Sequence, residues 1–253
     1  MDPTNSDVRL HVHRWGEGPP VVLVHGGILG GREAWRALRP LTSRWTVLAP
    51  DRPGHGGTPA TGRQDFETDA RLIADQLLDR PVHLVGLSYG AIVSMYAAAQ
   101  RPEHIRSLTI VEPPLFGIAR GNPVVDAPAA ATRELIEEVG LPQEVALPRF
   151  FELVDAPVTL GDPIPPVLLD GMRRLQGARP PDEAAPPMDR LRAAGFPILV
   201  ISGGHLESNE IICDAIAEQT GAERAVCAGM GHLVPDTGAP FNALLEKFFD
   251  GTP

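Results

Sequence analysis

Two kinds of hydrophobic run alternate along the 253 residues. One kind is short and rich in strand-forming side chains: Val21 to Val24, Trp45 to Ala49, Val82 to Leu87, Ser107 to Val111, Pro197 to Ile201 and Arg224 to Cys227. The first of these is apolar at every position, the mark of a strand buried on both faces of a parallel sheet. Val8 to Trp15 differs. There Val8, Leu10 and Val12 alternate with Arg9, His11 and His13, which predicts a half-exposed antiparallel edge strand. The other kind repeats at helical spacing. It predicts helices over Arg32 to Thr42 (Trp35, Leu38 and Leu41 on one face), Asp65 to Leu78, Ala91 to Gln100, Ser208 to Thr220 and Pro240 to Phe249. Strands alternating with helices predict a mostly parallel, doubly wound α/β sheet.

The pattern breaks between Pro113 and Pro187. Of the chain's 27 prolines, 14 fall in this stretch. That density excludes further long sheet strands and favours short helices, here Ala129 to Val139, Gln143 to Val154 and Pro166 to Leu175. The stretch also carries Phe116, Leu135, Phe150, Phe151, Leu168, Leu169, Met172 and Leu175, more large apolar side chains than a linker needs. It reads as a helical cap (113–187) set into a core formed by 1–112 and 188–253.

Charge narrows the partners. With 32 acidic against 22 basic residues the formal net charge is −10, and no basic run occurs. Binding to nucleic acid or to an anionic membrane surface rests on clustered Lys and Arg, so neither partner is expected. The first residues, Met1 to Asp7, lack the features of a secretory signal, and no apolar run reaches the length of a membrane span. The two cysteines, Cys213 and Cys227, are too few for a disulfide framework and lack a metal-ligand spacing; they read as core residues of a cytoplasmic protein.

Candidate chemistry gathers after the strands. Gly86-Leu87-Ser88-Tyr89-Gly90 joins a strand directly to a helix, and a turn that tight leaves no room for side chains two residues either side of the serine. Such a turn lifts a hydroxyl clear of the sheet. His25-Gly26-Gly27-Ile28-Leu29-Gly30-Gly31 lets backbone N–H groups approach a ligand. Asp51-Arg52-Pro53-Gly54-His55-Gly56 reads as a hydrogen-bonded structural loop rather than a source of catalytic acid. His11 and His13 share a strand face, but with no third ligand expected nearby they read as exposed residues, and no metal is expected. Glu112, Glu207 and His232 each follow a predicted strand. In an open α/β sheet, ligands bind at the carboxyl ends of the strands, so these residues fall on one edge. Serine is a poor nucleophile until a base takes its proton, histidine is the usual base, and a carboxylate orients the histidine.

The order and spacing of His25-Gly26-Gly27, Asp51-Arg52-Pro53-Gly54-His55-Gly56, Gly86-Leu87-Ser88-Tyr89-Gly90 and Gly229-Met230-Gly231-His232 resemble those of the α/β-hydrolase superfamily over nearly the whole chain. The resemblance implies an α/β-hydrolase fold with its cap inserted after the sixth strand. It implies Ser88 as nucleophile, His232 as base, and an oxyanion hole from the backbone N–H groups of Gly27 and Tyr89, with no cofactor. Most of the superfamily places an Asp beyond the seventh strand, where this chain has Gly203-Gly204-His205-Leu206-Glu207. Two acids stay open: Glu112, at a strand end where some dehalogenases and lactonases carry a Glu, and Glu207. His205 reads as an ordinary loop histidine.

The expected reaction is hydrolysis of an ester or lactone of a moderately sized hydrophobic small molecule through an acyl-enzyme. A serine nucleophile argues against the epoxide hydrolases and dehalogenases of the superfamily, which use an Asp. Hydrolysis of a carbon–carbon bond in a diketone-type substrate, or a non-hydrolytic binding protein or cyclase on the same fold, are the alternatives.

Overall fold

In the computed structural model, which describes residues 8–252, seven strands form one sheet. They are β1 (Val12–Trp15), β2 (Pro20–Val24), β3 (Thr46–Pro50), β4 (Val82–Leu87), β5 (Ile105–Val111), β6 (Ile198–Ser202) and β7 (Glu223–Val226), in the spatial order β1-β3-β2-β4-β5-β6-β7. Only β1 runs antiparallel, paired along β3 from Val12↔Pro50 to Trp15↔Val47. Every other pairing is parallel. Nine α-helices accompany them: α1 (Gly31–Ala34), α2 (Phe66–Leu77), α3 (Tyr89–Gln100), α4 (Pro123–Glu137), α5 (Gln143–Leu153), α6 (Pro166–Leu175), α7 (Met188–Ala193), α8 (Glu207–Thr220) and α9 (Ala239–Asp250), counted among the described residues. None of them is long and apolar enough to cross a membrane.

The period-2 geometry of a strand sends alternate side chains of the central strands to opposite faces, and both faces are buried. Val22, Val24, Leu84, Leu108, Ile110 and Val200 point to one face, where they pack with residues of α2, α3 and α8. Val21, Leu23, Val47, Val85, Val111, Leu199 and Ile201 point to the other, against Trp35, Leu38, Leu41, Phe241, Leu245 and Phe249. Each face is a separate apolar layer, as a doubly wound sheet requires. A third cluster lies apart from both: Leu135, Ile136, Ala146, Leu147, Phe151, Met172 and Leu175 from α4–α6 close on one another and on Ile28 of the loop after β2.

Several local expectations need correction. The proline-rich stretch follows the fifth described strand, not the sixth, because four strands precede β5 among the described residues. The helix expected over Arg32 to Thr42 divides into α1 and a 3₁₀ run, Arg36–Ser43, with Pro40 inside it. Proline lacks the N–H that an α-helix needs. The buried Trp35, Leu38 and Leu41 recur every three residues, the period of a 3₁₀ helix. The edge strand starts at Val12 rather than Val8. Upstream, the Leu10 N–H donates to Gln76 Oε1 and the His11 N–H to Thr58 Oγ1, so side chains take the N–H groups a neighbouring strand would otherwise meet, while the His11 carbonyl accepts the Asp51 N–H at 2.8 Å. Helix α7 follows Pro187 and was not expected.

The join between β4 and α3 has no spare space. A Cβ on Gly86 would lie 2.5 Å from the Gly90 oxygen, and one on Gly90 would lie 2.3 Å from the carbonyl oxygens of Val24 and His25. All of these obstacles are backbone. Gly90→Ala should therefore destabilise the fold by about 2 kcal/mol or more, seen as a fall in Tm of roughly 4–8 °C. Thermal unfolding by circular dichroism checks this.

Candidate active site

Ser88 sits between β4 and α3 with no intervening loop, at φ 55° and ψ −124°. Its N–H donates to the Val111 carbonyl at 2.9 Å, tying the turn to the end of β5. A non-glycine residue at positive φ costs of the order of 1–3 kcal/mol and persists only where the surroundings enforce it. Here the crowding around Gly86 and Gly90 does so. Among the described residues only two other non-glycine positions have positive φ: Glu112 (48°) and Asp155 (47°). Both belong to the same site.

Glu112 directly follows β5, and its N–H pairs with the Ile201 carbonyl of β6 at 3.0 Å. Its side chain is buried. The carboxylate Oε2 lies 3.1 Å from His232 Nδ1 and 3.0 Å from His205 Nε2, Asn209 Nδ2 donates to the same oxygen, and Oε1 accepts the Gly203 N–H at 2.6 Å. Burial alone would push this carboxyl up. The hydrogen bonds from His205 and His232, the charge of His232 and the Gly203 N–H outweigh burial and hold it down at about 2. Glu207 stands exposed in the first turn of α8, where its charge complements the helix N-terminus. His205 is not an ordinary loop histidine; it is bonded to Glu112. Nothing local marked it, because the contact joins residues 93 apart in sequence.

The loop after β2 is built from below by Arg52. This fully buried guanidinium donates to Asp69 (2.6 Å), Gln64 (2.9 Å), the His25 carbonyl (3.1 Å) and the Gly26 carbonyl (2.6 Å). The Arg52 N–H donates to His25 Nε2 at 2.9 Å, so that nitrogen carries no proton and Nδ1–H donates to the Gly26 carbonyl at 2.9 Å. Burial, with the nearby His55 and Arg52, keeps the His25 ring far below its ordinary value and neutral. The Gly26 carbonyl is thus held from two sides. Because the peptide is planar and trans, its Gly27 N–H must point the opposite way. His55 and Gln64 likewise donate to the Gly27 carbonyl, at 3.2 and 3.3 Å. The Tyr89 N–H, the first of α3, has no acceptor within its own helix.

These groups meet a cavity of about 480 Å³ lined by Gly26, Gly27, Ser88 and His232, with Leu29, Phe150, Phe151, Val158 and Leu168 supplying an apolar wall. Glu33, Arg36 and Asp236 line it too, and Arg36 pairs with Asp236 at 2.9 Å. Among the described residues, two groups of donors come close enough to hold a metal ion: Glu112 with His205 and His232, and His11 with His13 and Asp51, each within 4.8 Å. The second group corrects the expectation that His11 and His13 have no third ligand nearby. In the first group all three are joined by hydrogen bonds, and in the second His13 pairs with Asp51 while the His11 ring packs edge-on against His13. Asp51 is buried and takes the Gly31 and Gly57 N–H groups at 2.8 and 2.9 Å and His13 Nε2 at 3.2 Å, which is the loop-clasping role expected of it. Cys213 and Cys227 are both buried and free.

Residues 21–244 match the alpha/beta hydrolase family. The chain belongs to that family. It is 35% identical over 177 residues to a pimeloyl-[acyl-carrier protein] methyl ester esterase of Methylococcus capsulatus, a match covering 69% of this chain and 66% of that protein. A second esterase of that name, from Chromobacterium violaceum, is 36% identical over 41% of each chain. The matched stretches thus span less than two thirds of these relatives' own lengths. The fold is similar to that of an esterase from Exiguobacterium antarcticum (18% identity, TM-score 0.75, 96% of each chain) and of the N-acyl homoserine lactonase AidH (20%, 0.71, 97% of each).

A carboxylate held below its unfolded value stabilises the fold above that value, and the contribution is lost as pH falls through the folded one. For Glu112 the window runs from 4.5 down to about 2. Urea unfolding across that window should show stability falling by on the order of 3 kcal/mol from this group. In Glu112→Gln that part of the slope should vanish.

Proposed function

We propose that the chain is a serine hydrolase that cleaves an ester or lactone of a moderately sized hydrophobic small molecule through an acyl-enzyme. The observation that carries this reading is the contact of 3.1 Å between the buried Glu112 carboxylate and His232 Nδ1, beside a cavity that Ser88 also lines. With Nδ1–H committed to Glu112, the other ring nitrogen of His232 is free to accept a proton. Ser88 attacks the carbonyl carbon while His232 takes its proton, and Glu112 stabilises the imidazolium. The carbonyl oxygen becomes an oxyanion facing the Gly27 and Tyr89 N–H groups, an interaction worth about 3 kcal/mol per donor. His232 returns the proton to the leaving alcohol. It then draws a proton from water, which attacks the acyl-Ser88 ester, and returns that proton to Ser88 Oγ as the ester bond breaks and the acid is released. Residues 113–187 act as the cap: Phe150, Phe151, Val158 and Leu168 give the substrate an apolar enclosure. The names of the relatives, a methyl ester esterase and a homoserine lactonase, agree with this class of substrate.

A fluorophosphonate should label Ser88 in the folded protein, and Ser88→Ala should abolish both labelling and turnover of p-nitrophenyl esters. Glu112→Gln should lower kcat by roughly 10³–10⁴-fold, while Glu207→Gln stays near the parent rate. Failure of the folded protein to label overturns the reading. Labelling without turnover of any ester or lactone in a broad panel favours carbon–carbon hydrolysis instead.

A further inference from the structure

Of the four donors on Glu112, His205, Asn209 and His232 converge on Oε2 and the Gly203 N–H donates to Oε1. One of them, His205, is itself held from both sides. Its Nε2 lies 3.0 Å from Glu112 and its Nδ1 lies 3.2 Å from Asp155 Oδ2. A neutral imidazole has a single N–H and can satisfy only one of two facing carboxylates; the imidazolium satisfies both. Burial works against that charge, and Glu112 and Asp155 together outweigh it, so the ring's proton affinity is raised. Asp155 comes from the connection after α5, in the same stretch as the Phe150 and Phe151 wall of the cavity. It is one of the three non-glycine residues at positive φ. Its carbonyl also accepts the His232 N–H at 3.4 Å, and a Cβ on Gly231 would lie 2.0 Å from that oxygen. Asp155 therefore touches both histidines, one through its side chain and one through its backbone.

We propose that His205 is a positioning residue of this site: as an imidazolium held between Glu112 and Asp155, it shares the acid with His232 and sets the low-pH limit of activity. The inference rests on the serine hydrolase reading for its kinetic consequence, though not for its geometry. A ring nitrogen of His205 and one of His232 lie within 4.8 Å of each other, and both rings meet the same oxygen of Glu112. A positive charge there opposes the arrival of a second one on His232. The titratable groups around His205 are Glu112 at the end of β5, Asp155 after α5 and, on the other side of the shared carboxylate, His232 from the loop after β7; on α8, Asn209 adds a neutral donor to that carboxylate.

His205→Gln keeps a donor for Glu112 but removes the charge. The acidic limb of kcat/KM, followed with p-nitrophenyl butyrate, should move to higher pH by on the order of one unit. Asp155→Asn, at a side chain 60% exposed and so tolerant of change, should move it the same way by less. In proton NMR, the parent should show three downfield imidazole N–H resonances, two from His205 and one from His232; His205→Gln should lose two and shift the third. Limbs that superimpose on the parent's, or that move to lower pH, overturn the proposal. So does an unshifted remaining resonance. If the parent neither labels at Ser88 nor turns over esters, the hydrolase reading falls and the NMR arm alone decides the role of His205. If His205→Gln does not fold, the direction of the Asp155→Asn shift decides.

Discussion

The buried charge of Glu112 is the constraint around which the rest of the site is arranged. An ionised carboxylate withdrawn from water is strongly disfavoured unless both of its oxygens find donors. Glu112 finds four, from three separate parts of the chain: the loop after β6, the first turn of α8 and the loop after β7. Remove one donor and the charge is undercompensated. That requirement locks these segments together at one edge of the sheet. It also draws in Asp155 of the proline-rich stretch, which bonds to one of the donors.

Strain is concentrated in the same place. Ser88, Glu112 and Asp155 are the only described non-glycine residues at positive φ, and they lie far apart in sequence but belong to one site. Each is held by a different device. Steric crowding of the β4–α3 join holds Ser88, while pairing of the Glu112 N–H across to β6 fixes the second. Asp155 is gripped through both its carbonyl and its carboxylate. Backbone energy is stored where a side chain must leave its strand in an unusual direction.

On the opposite side of the cavity the problem is to hold a flexible glycine loop still. Arg52 solves it with a buried guanidinium that is neutralised by Asp69 and donates to two successive carbonyls, those of His25 and Gly26. Because peptide units are planar, ordering the carbonyls orders the N–H groups on the far side. The motif Asp51-Arg52-Pro53-Gly54-His55-Gly56 thus reads as a scaffold in which Asp51 clasps the loops and Arg52 and His55 aim them.

The local features were legible in the chain itself. Period-2 and helical hydrophobic patterns predicted the α/β sheet, because a side chain's face is decided by position within its own element. Gly86 and Gly90 marked Ser88, because their clashes involve the backbone around that one turn. Proline spacing marked α5 and α6 almost to the residue, whereas the expected helix over Arg32 to Thr42 divided into α1 and a 3₁₀ run that contains Pro40. The partner of His232 was beyond such reading. Glu112 and Glu207 both follow strands, and which one meets the ring depends on how β5 and β6 stack and where α8 begins, 120 residues of chain separating His232 from Glu112. His205 and Asp155 were hidden for the same reason. The amino-acid sequence by itself determined the layers, the tight turn at Ser88 and the edge where the chemistry gathers, since those follow from short-range sterics and periodicity. Only the tertiary structure decided which carboxylate is buried against His232, because that choice is made by desolvation and by donors arriving from elsewhere in the chain.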